Sequence, residues 1–407
     1  MVCKRITRIL LSLFLSLSAA LLVMVSDCRA ERTGDGVANT GNGTAEIIEE
    51  QLKAAGAGKI SEEIYRYTDE ETMELFRGFD ADRLMSDLLA GRPGIGLGDA
   101  GSRLLGFFFR ELYQNIGILV KITVLAVICA ILKNLQAGFM SEGAAQIAFY
   151  ACYIVLVSML LVSFGTVMKM GITAIDRMVG FMYASVPVLM ALLVSGGNIT
   201  AGGILHPVML LIVEVSATVI RNAFVPLVFI SAILAIVNNI SEKIQLTRMV
   251  SLIRQIVSWS LGIILTAFII AVSVQGTLGA VIDGATQKAA KFAISTFIPI
   301  VGKTLSDAAD TVIGCAVVIR NAAGAGAMAG ILLICAVPLI KIIALAGLFK
   351  AAGALLEPIS ESRITDCIND IAGSMIHIFA LSASVAFMFI VSVTALVSAG
   401  NTGAMLR

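Results

Sequence analysis

Apolar residues run along this chain in long blocks parted by short polar breaks. A helix needs about 20 mostly apolar residues to cross a bilayer. Eight segments meet or approach that length: residues 112–132, 145–168, 179–195, 206–220, 223–237, 257–275, 328–348 and 375–397. Two of them, ending and starting around Arg221-Asn222, are short enough for a tight hairpin or a pair of partial helices. Between Ser241 and Ser258, Leu246, Met249, Val250, Ile253, Ile256 and Val257 share one helical face, with Lys243, Arg248 and Arg254 elsewhere. That is the pattern of an interfacial amphipathic helix leading into the next span, and a similar helix is expected over 359–371. The pattern predicts an all-α, polytopic helical membrane protein of about eight spans, with its transmembrane domain over 111–401.

The first 30 residues carry a different pattern. Lys4, Arg5 and Arg8 precede an apolar run over 9–25, and Cys28-Arg29-Ala30 offers small residues for a cut after Ala30. This reads as a cleaved signal peptide, which leaves the mature N-terminus outside the cytoplasm. An uncleaved first span is the alternative. Residues 31–110 follow as a polar helical extracytoplasmic region. Within it, 33–44 is Gly/Asn/Thr-rich, whereas Ile47, Ile48 and Leu52, then Leu84, Met85, Leu88 and Leu89, recur at helical spacing. Gly91-Arg92-Pro93-Gly94 closes the region, and Ser102 is placed to cap a helix bearing Leu104, Leu105, Phe108 and Leu112.

Composition fits this division. Of 407 residues 58% are hydrophobic and 14% charged, against about 25% charged in soluble domains, which argues against a cytosolic globular enzyme. A net charge of +1 gives no reason to expect nucleic acid as a partner. Residues 31–110 hold fifteen acidic and nine basic side chains. With eight spans and a cleaved signal, six basic residues fall in cytoplasmic loops (Lys133, Lys243, Arg248, Arg254, Lys350, Arg363). Eight then fall outside: Lys169, Arg177, Arg221, Lys288, Lys291, Lys303, Arg320 and Arg407. The positive-inside rule expects the reverse, so either 276–327 re-enters the membrane or the count of spans is wrong.

An internal echo runs through the apolar part. Val219-Ile220-Arg221-Asn222-Ala223 recurs as Val318-Ile319-Arg320-Asn321-Ala322, and Ile240-Ser241-Glu242 as Ile359-Ser360-Glu361. It marks an internal duplication over about 178–276 and 289–397, unless apolar helices share these letters by accident. Charges within spans cost on the order of 2.5–3.5 kcal/mol unless paired or hydrated. Glu214, Arg221, Asp307, Asp310, Arg320 and Lys341 are therefore candidates for a polar path or for interhelical pairs, Arg221 lying seven residues beyond Glu214 on the same face. Gly324, Gly326 and Gly330 form a small-residue stretch suited to close helix packing or to a hinge.

Chemistry-bearing motifs are missing. Two histidines, His206 and His377, are too few for a His-rich metal site, and His-Glu-x-x-His, Gly-x-Ser-x-Gly and Gly-Lys-Ser/Thr are absent. No catalytic residue, cofactor or metal is expected; an intramembrane Ser–His hydrolase is a remote alternative. Five cysteines beyond the signal, scattered in or beside apolar segments, make no disulfide framework.

The stretch Phe292-Ala293-Ile294-Ser295-Thr296-Phe297-Ile298-Pro299-Ile300-Val301-Gly302, followed by Ser306-Asp307-Ala308-Ala309-Asp310-Thr311-Val312-Ile313-Gly314, is distinctive. With Arg320-Asn321-Ala322, Pro338-Leu339-Ile340-Lys341, Ala399-Gly400-Asn401, Ser241-Glu242-Lys243 and Ser273-Val274-Gln275-Gly276, it resembles the stage III sporulation protein AE family over roughly 105–401. The resemblance implies a membrane component of the channel complex that links mother cell and forespore in endospore-forming bacteria. It also implies the mother-cell-derived membrane as the location. Implied partners, besides the bilayer, are the other stage III sporulation A-operon proteins, an ATPase among them, and a forespore membrane protein. The family brings no catalytic residues. A permease-like subunit is the leading expectation, and a scaffold without its own transport path is the alternative.

Overall fold

The computed structural model describes residues 58–75, 97–136, 142–195, 206–240, 245–297 and 302–405, which form helices with no strand among them. In chain order these are α1 (Gly58–Tyr67), α2 (Glu70–Leu75), α3 (Leu97–Gln136), α4 (Glu142–Ser195), α5 (His206–Val219), α6 (Val225–Ile240), α7 (Thr247–Phe297), α8 (Gly302–Leu356) and α9 (Ser362–Met405). The chain is an all-α polytopic membrane protein. The signal peptide, the 33–44 segment and the helical spacings at 47–52 and 84–89 lie outside the described residues.

Six helical rods among the described residues are long and apolar enough to cross a membrane, where the hydropathy pattern counts eight segments. Two mergers account for the difference. Segments 145–168 and 179–195 are the two ends of the single helix α4, with Pro187 inside it. The break between them, Lys169 to Arg177, is polar but contains no proline, so nothing in it stops the helix. Segments 206–220 and 223–237 are likewise one rod, α5 and α6, joined through a wider π turn over Ile220–Phe224. Pro226 supplies the reason: it cannot donate to the carbonyl four residues back, and its ring crowds that group. The Val225 N–H reaches instead to Ile220 O, five residues back. Helices of 54 and 55 residues are about 80 Å long at 1.5 Å per residue, far beyond a bilayer core of about 30 Å.

The 276–327 stretch forms the end of α7 and the start of α8, on either side of 298–301. The expected amphipathic segment at 241–258 is continuous with α7 from Thr247 onward, and exposes Met249, Leu252, Ile256 and Trp259. Its expected counterpart at 359–371 is the start of α9, where Ile364, Ile368 and Ile371 are wholly buried in the bundle. Lys169, Arg177 and Arg221 now lie inside helices. Lys288, Lys291, Lys303 and Arg320, also assigned outside, are helical as well, so the tally of loop charges gives no orientation.

The hairpin α8–α9 is the centre of the bundle. The most apolar stretches of α8 and α9 are 67% and 72% buried, against 22% for α3 and α7. Close approach is made possible by small residues. A Cβ on Gly324 would lie 2.2 Å from Val397 Cγ2, and one on Gly171 of α4 would lie 2.5 Å from Ile378 Cγ2. Gly326 is buried in the same stretch of α8, which is continuous helix there.

The two halves of the echo map onto two successive hairpins, α5/α6–α7 and α8–α9. Their turns lie at the same end, because Asn239 and Arg254, flanking the first turn, both hydrogen-bond Asp370 just beyond the second. The two units therefore run in the same sense rather than inverted.

The glycine contacts generate a stability test. Gly171→Val should lower the heat-unfolding midpoint of the detergent-purified protein, with a loss on the order of 1–3 kcal/mol, the usual range for overpacking. Gly347→Ala, where an added Cβ meets nothing within 4 Å, should leave the midpoint unchanged.

Candidate functional site

The charges of the apolar helices gather into a belt. Asp176 and Tyr183 are seven residues apart on α4; Glu214 on α5 and Arg221 in the π turn are seven apart on the facing rod. Seven residues are two turns, about 10.5 Å along a helix, so the two rods match rung for rung. Arg221 Nε and Nη2 donate to the Asp176 carboxylate at 2.7 and 3.0 Å, and the Tyr183 hydroxyl lies within electrostatic reach of the Glu214 carboxylate. Both members of the Asp176–Arg221 pair are 44% exposed, so this rung lies on the outside of the bundle.

The belt continues around α4. Arg177, the neighbour of Asp176, points the other way and pairs with Asp69, which begins α2. Two residues further along that helix, Glu71 pairs with Lys341 of α8. One sequence of ion pairs thus joins the π turn, α4, the α1–α2 segment and α8. An exposed ion pair contributes about 0–1 kcal/mol in water. Within an apolar span, the larger quantity is the cost of leaving either member alone.

A second polar cluster sits at the turn end. Arg254 donates to Asp370 Oδ1 at 2.8 Å, to the Asp370 carbonyl at 3.0 Å and to Ser374 Oγ at 3.2 Å, while Asn239 donates to Asp370 Oδ2 at 3.4 Å. Lys133 and Arg363 meet there on Glu361, which ties α3 to the α8–α9 turn. Asn238 Oδ1 accepts from Leu246 N–H at 2.7 Å and from the Thr247 hydroxyl at 3.1 Å, fixing the start of α7.

The candidate residues therefore part company. Glu214 and Arg221 share a face as their spacing requires, but each finds its partner on α4 rather than in the other. Lys341 belongs to the belt. Arg320, the echo of Arg221, is wholly enclosed on α8, and Gly330 lies against Ile64 of α1 and Phe181 of α4. The side chains of Asp307 and Asp310 lie outside the described residues. Hydropathy did not single out Asp69, Glu71, Asp176, Tyr183 or Asp370. The available signal was the requirement that each cation on an apolar helix have an acid within reach. Among the described residues, no group of three or more His, Cys, Asp or Glu is placed to hold a metal ion.

The model of the family described as stage III sporulation protein AE matches residues 79–400. The chain belongs to this family. A relative of that name, stage III sporulation protein AE of Bacillus subtilis (strain 168), is 36% identical over 304 residues, which cover 75% of this chain and 76% of the relative. No solved structure matches. This family member is thus a sporulation-associated membrane protein. Asp176, Arg177, Glu214, Arg221, Arg320 and Lys341 all fall inside the family match, whereas α1 and α2 precede it.

The outer rung of the belt is testable by charge exchange. Arg221→Asp and Asp176→Arg singly place two like charges side by side and should reduce the folded fraction surviving a heat step. The double exchange should restore it. Size-exclusion chromatography of the detergent-solubilised protein after heating reads the difference.

Proposed function

We propose that this chain is a non-enzymatic, multi-pass subunit of the channel complex joining mother cell and forespore, with a permease-like part in it. The carrying observation is the Asp176–Arg221 and Tyr183–Glu214 ladder, half exposed midway along otherwise apolar rods. Charges in that position require water or a polar partner across the helix surface. A polar route bordered by the outer face of α4 and α5, shared with neighbouring subunits, meets that requirement. The bundle's own centre is filled by the α8–α9 hairpin.

The remainder of the reading follows from the family. The chain sits in the mother-cell-derived membrane with its N-terminal part outside the cytoplasm. There it assembles with the other stage III sporulation A-operon proteins, an ATPase among them, and a forespore membrane partner. A scaffold without a path of its own is the second reading. The tight α8–α9 packing and the enclosed Arg320 favour it, because both serve rigidity.

Neutral variants separate the two readings in a spore-forming host that depends on this chain: Glu214→Gln, Arg221→Gln, Asp307→Asn, Asp310→Asn, Arg320→Gln and Lys341→Gln. A path-former should lose at least roughly tenfold in heat-resistant spores, equivalent to about 1.4 kcal/mol in a rate, while its partners still co-purify. Normal sporulation would remove these residues from any path. Loss of co-purification would favour the scaffold.

A further inference from the structure

The α1–α2 segment lies in a seat that the large helices are shaped to receive. Ile60 and Ile64 are four residues apart on one face of α1 and almost completely buried. A Cβ on Gly330 of α8 would stand 2.8 Å from Ile64 Cγ1, and one on Gly180 of α4 would stand 2.7 Å from the Tyr67 ring. Side chains are absent at the two positions where the segment comes closest. Beyond these glycines stand the two cations of the seat, Arg177 against Asp69 and Lys341 against Glu71. Shape and charge therefore agree on one kind of occupant, a short amphipathic helix followed directly by acids, here Asp69 and Glu71.

The occupant is also built to leave. Helices of ten and six residues are too short to be stable alone, so α1 and α2 persist only while seated. Both ion pairs that hold them are partly exposed, at 32% and 37% for Arg177 and Asp69, and 25% and 35% for Lys341 and Glu71. Such pairs are weakened by water and salt. The seat, in contrast, belongs to two continuous helices of more than fifty residues. Segments with few buried contacts and screened polar ties open at lower free energy than the core does. The segment also lines an open depression of about 440 Å³ with Tyr65, Thr68, Glu70, Met73 and Glu74, two of them acidic.

We propose that Arg177, Gly180, Gly330 and Lys341 form a docking seat for an acidic amphipathic helix, and that residues 58–75 of this chain occupy it as a releasable latch. Seated, the latch bridges α4 to α8 and supplies the counter-charges of two cations on apolar helices. Lifted, it uncovers the two cations, Arg177 of α4 and Lys341 of α8, while those helices stay packed on each other.

The test uses the full chain in membrane vesicles, with its native cysteines replaced and Ser61→Cys as reporter. Ser61 belongs to the latch and is buried while it is seated, and serine to cysteine changes its size little. A charged, membrane-impermeant maleimide should label Ser61→Cys slowly. Lys341→Glu, which sets two acids face to face, should speed labelling by roughly tenfold or more, since labelling follows the open population. Glu71→Lys added to Lys341→Glu should restore protection. Fast labelling of the parent, no change with Lys341→Glu, or no rescue by the exchange would each overturn the seat. This arm reads latch position alone and is indifferent to what the complex conducts.

A second arm tests release. Asp69→Cys with Arg177→Cys replaces one ion pair by two thiols that a short bifunctional maleimide can bridge. Locked by the cross-link, the protein should assemble with its partners yet yield fewer spores than the same double variant left uncross-linked. Undiminished sporulation with the lock closed would make the segment a fixed brace and overturn the latch.

Discussion

A charge on an apolar helix needs a counter-charge, and the adjacent residues Asp176 and Arg177 of α4 meet that need in opposite directions. Asp176 reaches the π turn through Arg221, and Arg177 reaches Asp69 at the start of α2. From these two contacts the belt extends to Glu214 on one side and to Glu71 and Lys341 on the other. Because α4 carries both, its register relative to α5 and to α8 is fixed by charge as well as by packing. A shift of one helical turn would separate every pair at once. Apolar packing in a bundle of this kind is comparatively indifferent to such a slip, since one methyl surface resembles the next. Charge pairing supplies the specificity, and the glycine contacts at Gly171, Gly324 and Gly330 supply the closeness.

Much of this architecture was legible in the sequence, for physical reasons that also explain where legibility stopped. Hydropathy measures what a segment prefers as solvent, so it found the apolar stretches and the all-α class. It does not measure what ends a helix. Lys169 to Arg177 therefore looked like a loop, although no residue there interrupts the backbone ladder and both Asp176 and Arg177 have ion-pair partners. Around Arg221 a break was expected and a π turn is present, because Pro226 widens the helix without ending it. The seven-residue spacing of Glu214 and Arg221 gave their common face correctly, yet not their partners. Asp176 and Tyr183 are about 30 to 45 residues away along the chain, and Glu71 is 270 residues from Lys341. No local pattern contains that information.

The echo shows how one repeated element has been put to two uses. Arg221 and Arg320 occupy equivalent places in two hairpins of the same sense, each in the arm that leads to the turn. Arg221 emerges in the π turn, half exposed and paired across to α4, whereas Arg320 is enclosed in a straight helix at the bundle's centre. The difference follows from what surrounds each unit. The second hairpin is wrapped by the rest and can shelter an arginine from lipid, whereas the first lies at the periphery and must present its arginine to an acid, to water or to a neighbouring chain.

The result is a molecule with a rigid middle and a polar rim. Rigidity comes from the hairpin whose apolar stretches are 67% and 72% buried, which leaves little freedom for that part to move. Polar contacts with anything outside the chain fall to the peripheral faces of α4 and α5 and to the acidic segment seated between α4 and α8. Helix α4 is common to both, and it is held against α8 and α9 by apolar packing, with Gly171 tight on Ile378, as well as by ion pairs. What water can loosen is therefore the attached segment 58–75, whose polar ties to α4 and α8 are partly exposed ion pairs.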